Sequence, residues 1–191
     1  MGLILFLAVI VVIALWIIGA YNGLVALKNR VANAWKQIDV QLKRRHDLIP
    51  NLVNTVKGSM DFERSTLEAV ISARNRAVSA TGVQATAKAE GELTQALGRL
   101  FALTENYPDL KSNQNVLQLQ EELTSTENKI GFARQAYNDT ATEYNTKQMQ
   151  FPTNLVAGMA KASPAELWEI QDSAERTVPT VDLSLPKPPA A

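Results

Sequence analysis

The sequence predicts an all-α fold: an N-terminal transmembrane helix continues into an elongated antiparallel bundle of three long helices, followed by short C-terminal helices and an extended Pro-rich tail. Two observations carry this. Every residue from Leu3 to Ile18 is apolar, and beyond that run apolar residues recur at intervals of three and four. Strand-like alternation is confined to the last residues, Val181, Leu183 and Leu185. A chain of 191 residues holds one anchor and one further domain. The expected division is 1–24 anchor, 25–172 helical bundle and 173–191 tail.

No charged side chain appears before Lys28. At about 1.5 Å per residue, Gly2 to Leu24 is long enough to cross a hydrocarbon core about 30 Å thick, and only a helix satisfies its own backbone there. A cleaved leader would want a basic start and a small-x-small site, whereas Ile18-Gly19-Ala20-Tyr21 is a poor cleavage signal. Trp16 and Tyr21 suit an interfacial belt. Lys28, Arg30, Lys36, Lys43, Arg44 and Arg45 all follow the apolar run. The positive-inside rule therefore predicts a single-pass cell-membrane protein with its N-terminus outside and the bundle in the cytoplasm.

The next stripe, Leu24, Leu27, Val31, Trp35, Ile38 and Leu42, resumes as Ile49, Leu52, Val53, Val56, Met60, Leu67, Val70 and Ile71. It predicts one long helix to about Ser79, kinked or broken near Asp47 to Pro50, with Gly58 a second weak point. Ser79-Ala80-Thr81-Gly82 marks a turn. A second helix covers about Val83 to Glu105 and stops at Asn106-Tyr107-Pro108. A third, capped by Asp109 or Ser112, runs from about Ser112 to Gln148 on Val116, Leu119, Leu123, Ile130, Tyr137 and Tyr144 and suits coiled-coil packing against the first. Thr153 to Ala160 reads as a short helix whose Leu155, Val156 and Met159 close one end of the bundle. Ser163-Pro164-Ala165-Glu166 reads as the capped start of another, through about Gln171.

Composition narrows the function. Lys plus Arg and Asp plus Glu are equal at 19 each, so nothing favours nucleic acid as a partner. Absence of cysteine removes thiolate chemistry, and with one histidine, His46, a metal site would draw its ligands almost wholly from carboxylates. No phosphate loop, serine elbow or metal-spaced His-Glu motif appears, so no cofactor, metal or catalytic residue is expected. Two polar constellations stand out as interaction surfaces. Around Trp35 lie Asp39, Arg44, Arg45, His46 and Asp47. A binding surface is one reading, a solvated face with Asp39 paired to Lys43 the other. On the third helix, Glu127, Arg134, Asn138 and Asn145 fall near one stripe. They could bind an extended peptide or a neighbouring subunit, or fix helix register.

Tyr21-Asn22-Gly23-Leu24-Val25, Asn29-Arg30-Val31 and the run Ala34-Trp35-Lys36-Gln37-Ile38-Asp39 through Arg44-Arg45-His46-Asp47-Leu48-Ile49-Pro50-Asn51-Leu52-Val53 resemble the signature of the LemA family. The likeness continues in Glu105-Asn106-Tyr107-Pro108-Asp109, Thr126-Glu127-Asn128 and Ala133-Arg134-Gln135-Ala136-Tyr137-Asn138. It departs at Ser59-Met60-Asp61, where an aromatic and a histidine are usual. The resemblance implies a bacterial membrane protein with a short external N-terminus and a cytoplasmic antiparallel helical bundle, in a family with no established enzymatic activity.

The expected role is a structural scaffold in the lipid bilayer that forms homo-oligomers through its bundle. An alternative is an accessory factor for a membrane-protein partner, such as a membrane protease or envelope-stress component, docked by Arg44 to Asp47 or by the tail from Thr177. A third, a hydrolase, would pair Asp39 or Asp47 with a residue of the third helix.

Overall fold

The computed structural model describes residues 1–58 and 63–169, and among these it is helical with no strand. Six helices follow in order: α1 Gly2–Lys57, α2 Arg64–Ser79, α3 Val83–Thr104, α4 Pro108–Lys111, α5 Gln114–Met149 and α6 Asn154–Ala157. The expected tail, 173–191, lies outside the described residues.

With 56 residues, α1 is about 84 Å long at 1.5 Å per residue. Its first part is apolar enough to cross a membrane and none of it is buried; the first buried residue is Leu24. From there the expected stripe packs inward: Leu24, Leu27, Ile38, Leu42, Ile49, Leu52, Val53 and Val56 are all buried. α5 returns antiparallel beside it, burying Val116, Leu123, Ile130, Tyr137 and Tyr144. Its cap is Asn113, whose side chain accepts from the Asn115 and Val116 amides, rather than Asp109 or Ser112.

Further expectations are corrected. The first long helix does not run to Ser79. It ends at Lys57, and α2 folds back along α1, bringing Arg74 to His46. Four long helices therefore build the bundle, not three. Val56 and Leu67 are separated by about three helical turns of chain, so their stripes are in phase and periodicity reads through the turn. At Pro50, where the sequence predicts a kink or a break, α1 is not broken and continues to Lys57. Finally, residues 162–169 form no helix, and of the three residues expected to close the bundle end only Val156 is buried, Leu155 and Met159 being exposed.

The core divides by height. At the end far from Gly2, the α2–α3 hairpin covers α1 and α5, and Leu52, Val56, Val70, Leu93, Leu100 and Val116 pack together. The hairpin turns through Gly82, whose φ of 84° and ψ of 161° suit glycine alone. It reaches no lower than about Trp35. Below it, Ile38, Ile130, Tyr137 and Trp168 form a second core, and Leu24, Leu27 and Tyr144 a third. There the extended segment Ala162–Glu169, the strap, occupies the groove that the hairpin leaves open.

Candidate functional site

The buried stripes of two helices each carry polar residues at core positions. Arg45 and His46 fall between Leu42 and Ile49 on α1, and Glu90 falls between Ala87 and Leu93 on α3. Arg45 and Glu90 are both 3 % exposed. The two oxygens of Glu90 are divided between them: Oε2 meets Arg45 Nη1 at 3.2 Å, and Oε1 meets His46 Nε2 at 2.6 Å. Arg45 Nη2 donates to Thr94 Oγ1 at 2.7 Å, and its Nη1 lies 2.9 Å from Glu127 Oε2 on α5. The guanidinium thus supplies the cation between two carboxylates. A buried charge is tolerated only when it is paired and hydrogen-bonded, and this layer ties α1 to α3 and α5 at one height.

α2 joins the same layer through the backbone. Pro50 has no N–H, so the His46 carbonyl one turn before it loses its helical partner. Arg74 Nε donates to that carbonyl at 3.2 Å. A guanidinium from the neighbouring helix replaces the missing ladder bond, which is why α1 passes through Pro50. We expect Arg74→Met to cost about 1–3 kcal/mol by leaving a carbonyl unpartnered. In a Pro50→Ala background, where the helix restores its own bond, most of that loss should vanish in a double-mutant cycle followed by urea unfolding.

The second site is the strap. Asn145 Nδ2 donates to the Ala165 carbonyl at 2.8 Å and its Oδ1 accepts from the Ala165 amide at 2.7 Å. Asn138 repeats this on Trp168, at 3.0 and 2.8 Å. Two turns of helix separate the asparagines, about 10.5 Å, and three extended residues span about 10 Å, so the two ladders match. Between them Tyr137 Oη donates to the Glu166 carbonyl at 2.7 Å and Gln84 Nε2 to that of Leu167 at 2.6 Å. Every carbonyl from Ala165 to Trp168 accepts from a side chain of α3 or α5. Trp168 is buried against Trp35, and Arg134 stacks over its ring with Cζ 5.6 Å from the centroid.

Burial, and after it the charge of Glu166, raises the Tyr137 phenol above its ordinary 10.0. The folded form thus keeps its proton longer than the unfolded chain. This contribution to stability is complete below pH 10 and lost as pH rises through the folded value. Alkaline titration of the thermal midpoint should show that fall, and Tyr137→Phe should flatten it.

The sequence-derived residues therefore separate into three groups and one outlier. Arg45, His46 and Glu127 join the ion cluster. Arg134, Asn138 and Asn145 hold the strap, an extended peptide supplied by the chain itself. Trp35, Asp39, His46 and Asp47 line an open groove of about 530 Å³ between α1 and the α2–α3 turn. Arg44 lies apart, 4.0 Å from Glu122 on an exposed face. Asp39 and Lys43 form no ion pair. Sequence reasoning missed Glu90, Thr94, Gln84 and Trp168. Glu90 had a signal, a carboxylate on an otherwise apolar stripe; Trp168 had none.

Among the described residues no group of three metal-ligating side chains converges. The pattern of the LemA family matches residues 34–183, a span that includes the ion cluster and the strap. Protein LemA of Metamycoplasma hominis is 31 % identical over 142 residues, covering 73 % of this chain and 64 % of its own length. Magnetosome protein MamQ 2 of Paramagnetospirillum magneticum is 24 % identical over 189 residues, 85 % of this chain and 70 % of its own. Magnetosome protein MamQ of Magnetospirillum gryphiswaldense is 23 % identical over 163 residues, 72 % and 60 %. The match thus spans under two thirds of the first of these relatives.

Proposed function

The chain belongs to the LemA family, and from that premise we propose a non-catalytic scaffold, anchored by residues 1–24, whose bundle packs side by side with further copies of itself. None of the relatives above is named for a reaction. The basic residues from Lys28 to Arg45 favour a cytoplasmic bundle and an external N-terminus.

The observation that carries the reading is the continuity of α1 from the apolar segment to Lys57. A rigid connection gives every copy the same height above the bilayer. Copies sharing one orientation can close a symmetric assembly only about the membrane normal, so contacting patches must lie level. Val40 on α1 is 63 % exposed and Phe132 on α5 is 74 % exposed. Each follows a buried isoleucine, Ile38 or Ile130, by two residues and so faces away from the core. Antiparallel pairing places them at nearly one height.

The chain has no cysteine, so paired variants report cleanly. Val40→Cys with Phe132→Cys in one chain should give a ladder of disulfide-linked species in membranes, and neither single variant should extend beyond a dimer. A strict monomer by light scattering in mild detergent, with no ladder, would sink the proposal. Insertion of a flexible Gly-Ser linker after Leu27 should weaken the ladder by releasing the common height.

A further inference from the structure

The segment from Met149 to Met159 presents four large apolar side chains outward, at the end of the bundle nearest the anchor. Resting on the anchor reading above, we propose that residues 149–160 make a second membrane contact, an apolar loop seated among the lipid headgroups beside the anchor. Met149, Phe151, Leu155 and Met159 are 69, 79, 68 and 68 % exposed. These are the residues that a bundle end would normally bury, and they are crowded into one short segment.

Their height identifies what covers them. Arg45 meets Glu127, and Arg30 meets Glu143 at 3.4 Å. As α1 descends toward its N-terminus, α5 descends nearly residue for residue toward its C-terminus. Met149 therefore stands about level with Leu24, and Ala157 of α6 packs on the cluster of Leu24, Leu27 and Tyr144. About 20 residues of α1 from Leu3 onward fill a hydrocarbon core about 30 Å thick, which ends near Asn22. The loop thus lies within a few residues' rise of the hydrocarbon edge.

Charge agrees with that placement. Lys28, Lys147 and Lys161 are exposed around the loop, and Lys28 Nζ reaches the Lys161 carbonyl at 3.5 Å. The one acidic residue between 143 and 162, Glu143, already pairs with Arg30. Apolar side chains rimmed by cations are the composition of an interfacial element, with the rings and thioethers at the acyl boundary and the lysines among anionic headgroups. A lipid surface is therefore the occupant, and a tethered rod gains a second foot that fixes its tilt and rotation.

The test uses the full chain in liposomes containing anionic lipid. Single variants Phe151→Cys, Leu155→Cys and Val78→Cys react with a membrane-impermeant maleimide, and Ile10→Cys reports the anchor; Val78, 54 % exposed on α2, lies outside the patch proposed to join copies. Loop and bundle lie on one side of the bilayer, so their ratio is independent of insertion direction. The loop positions should react about tenfold more slowly than Val78→Cys, as expected of interfacial burial. A bimane on Leu155→Cys should be quenched by lipids brominated near the headgroup. Labelling as fast as Val78→Cys, with Ile10→Cys still protected, would overturn the loop contact alone. Slow labelling without bromolipid quenching would overturn it in favour of a protein cover, such as a second copy. Free reaction at Ile10→Cys would remove the anchor reading and the loop contact together.

Discussion

Glu90→Ala is expected to destabilise the bundle by about 3–5 kcal/mol, the usual cost of removing one partner from a buried ion pair. Such a loss is a large part of a domain's net stability of about 5–15 kcal/mol. Arg45 would keep a full charge at 3 % exposure with Glu127 alone, and His46 Nε2 would lose its acceptor. Urea unfolding in mild detergent, followed by far-ultraviolet circular dichroism, reads the effect. Glu127→Ala should cost less, since that side chain is 39 % exposed and its carboxylate is not the one shared. Replacing the layer with apolar residues, Arg45→Met with His46→Leu and Glu90→Leu, should recover most of the loss, because the desolvation cost disappears with the charges. A Glu90→Ala variant within about 1 kcal/mol of the parent would show that the cluster does not hold the helices together.

Trp168→Ala should release the strap. Removing a buried aromatic side chain costs about 3–5 kcal/mol where the site cannot collapse, and here Trp35, Tyr137 and Arg134 all lose a packing partner. The effect is local, because the core of α1, α2, α3 and α5 around Leu52, Val70 and Leu100 does not touch Trp168. Hydrogen exchange separates the two. The amides of Ala165 and Trp168, which donate to Asn145 and Asn138, should lose protection at least tenfold, the equivalent of about 1.4 kcal/mol of opening free energy, while the upper helices stay protected. Asn138→Ala should act in the same direction by leaving one carbonyl and one amide unpartnered, each worth about 1–3 kcal/mol when buried. Unchanged exchange in both variants would mean that the strap is held by other contacts.

Two residues show how differently the sequence speaks. Asn138 was visible as a polar residue beside an apolar stripe, and binding of an extended peptide was among its readings. That the peptide would be the chain's own Ala165–Trp168 was not visible, because Ser163-Pro164-Ala165-Glu166 carries a strong helix-start signal. Four side chains from α3 and α5 outcompete the intrahelical bonds that signal promises. Glu90 was visible in principle, as a charge on a buried stripe, and its partners were not. Arg45 and His46 lie outside any window of local periodicity that contains Glu90.

The sequence by itself determined the apolar first segment, the helical class, the bounds of α3 and nearly those of α5. Each of these rests on spacing within a few turns, and the hydrophobic period is a local quantity. Tertiary structure decided that α2 reverses along α1, where the sequence marked Gly58 only as a weak point, and it alone decided the passage of α1 through Pro50 and the extended course of the strap. In the first case two stripes in phase hide a reversal. In the other two the backbone groups find hydrogen-bond partners on another helix, Arg74 for the His46 carbonyl and Asn138 and Asn145 for the strap. Buried backbone groups must be paired, and where the partner is remote in sequence, local pattern cannot say which conformation the chain will take.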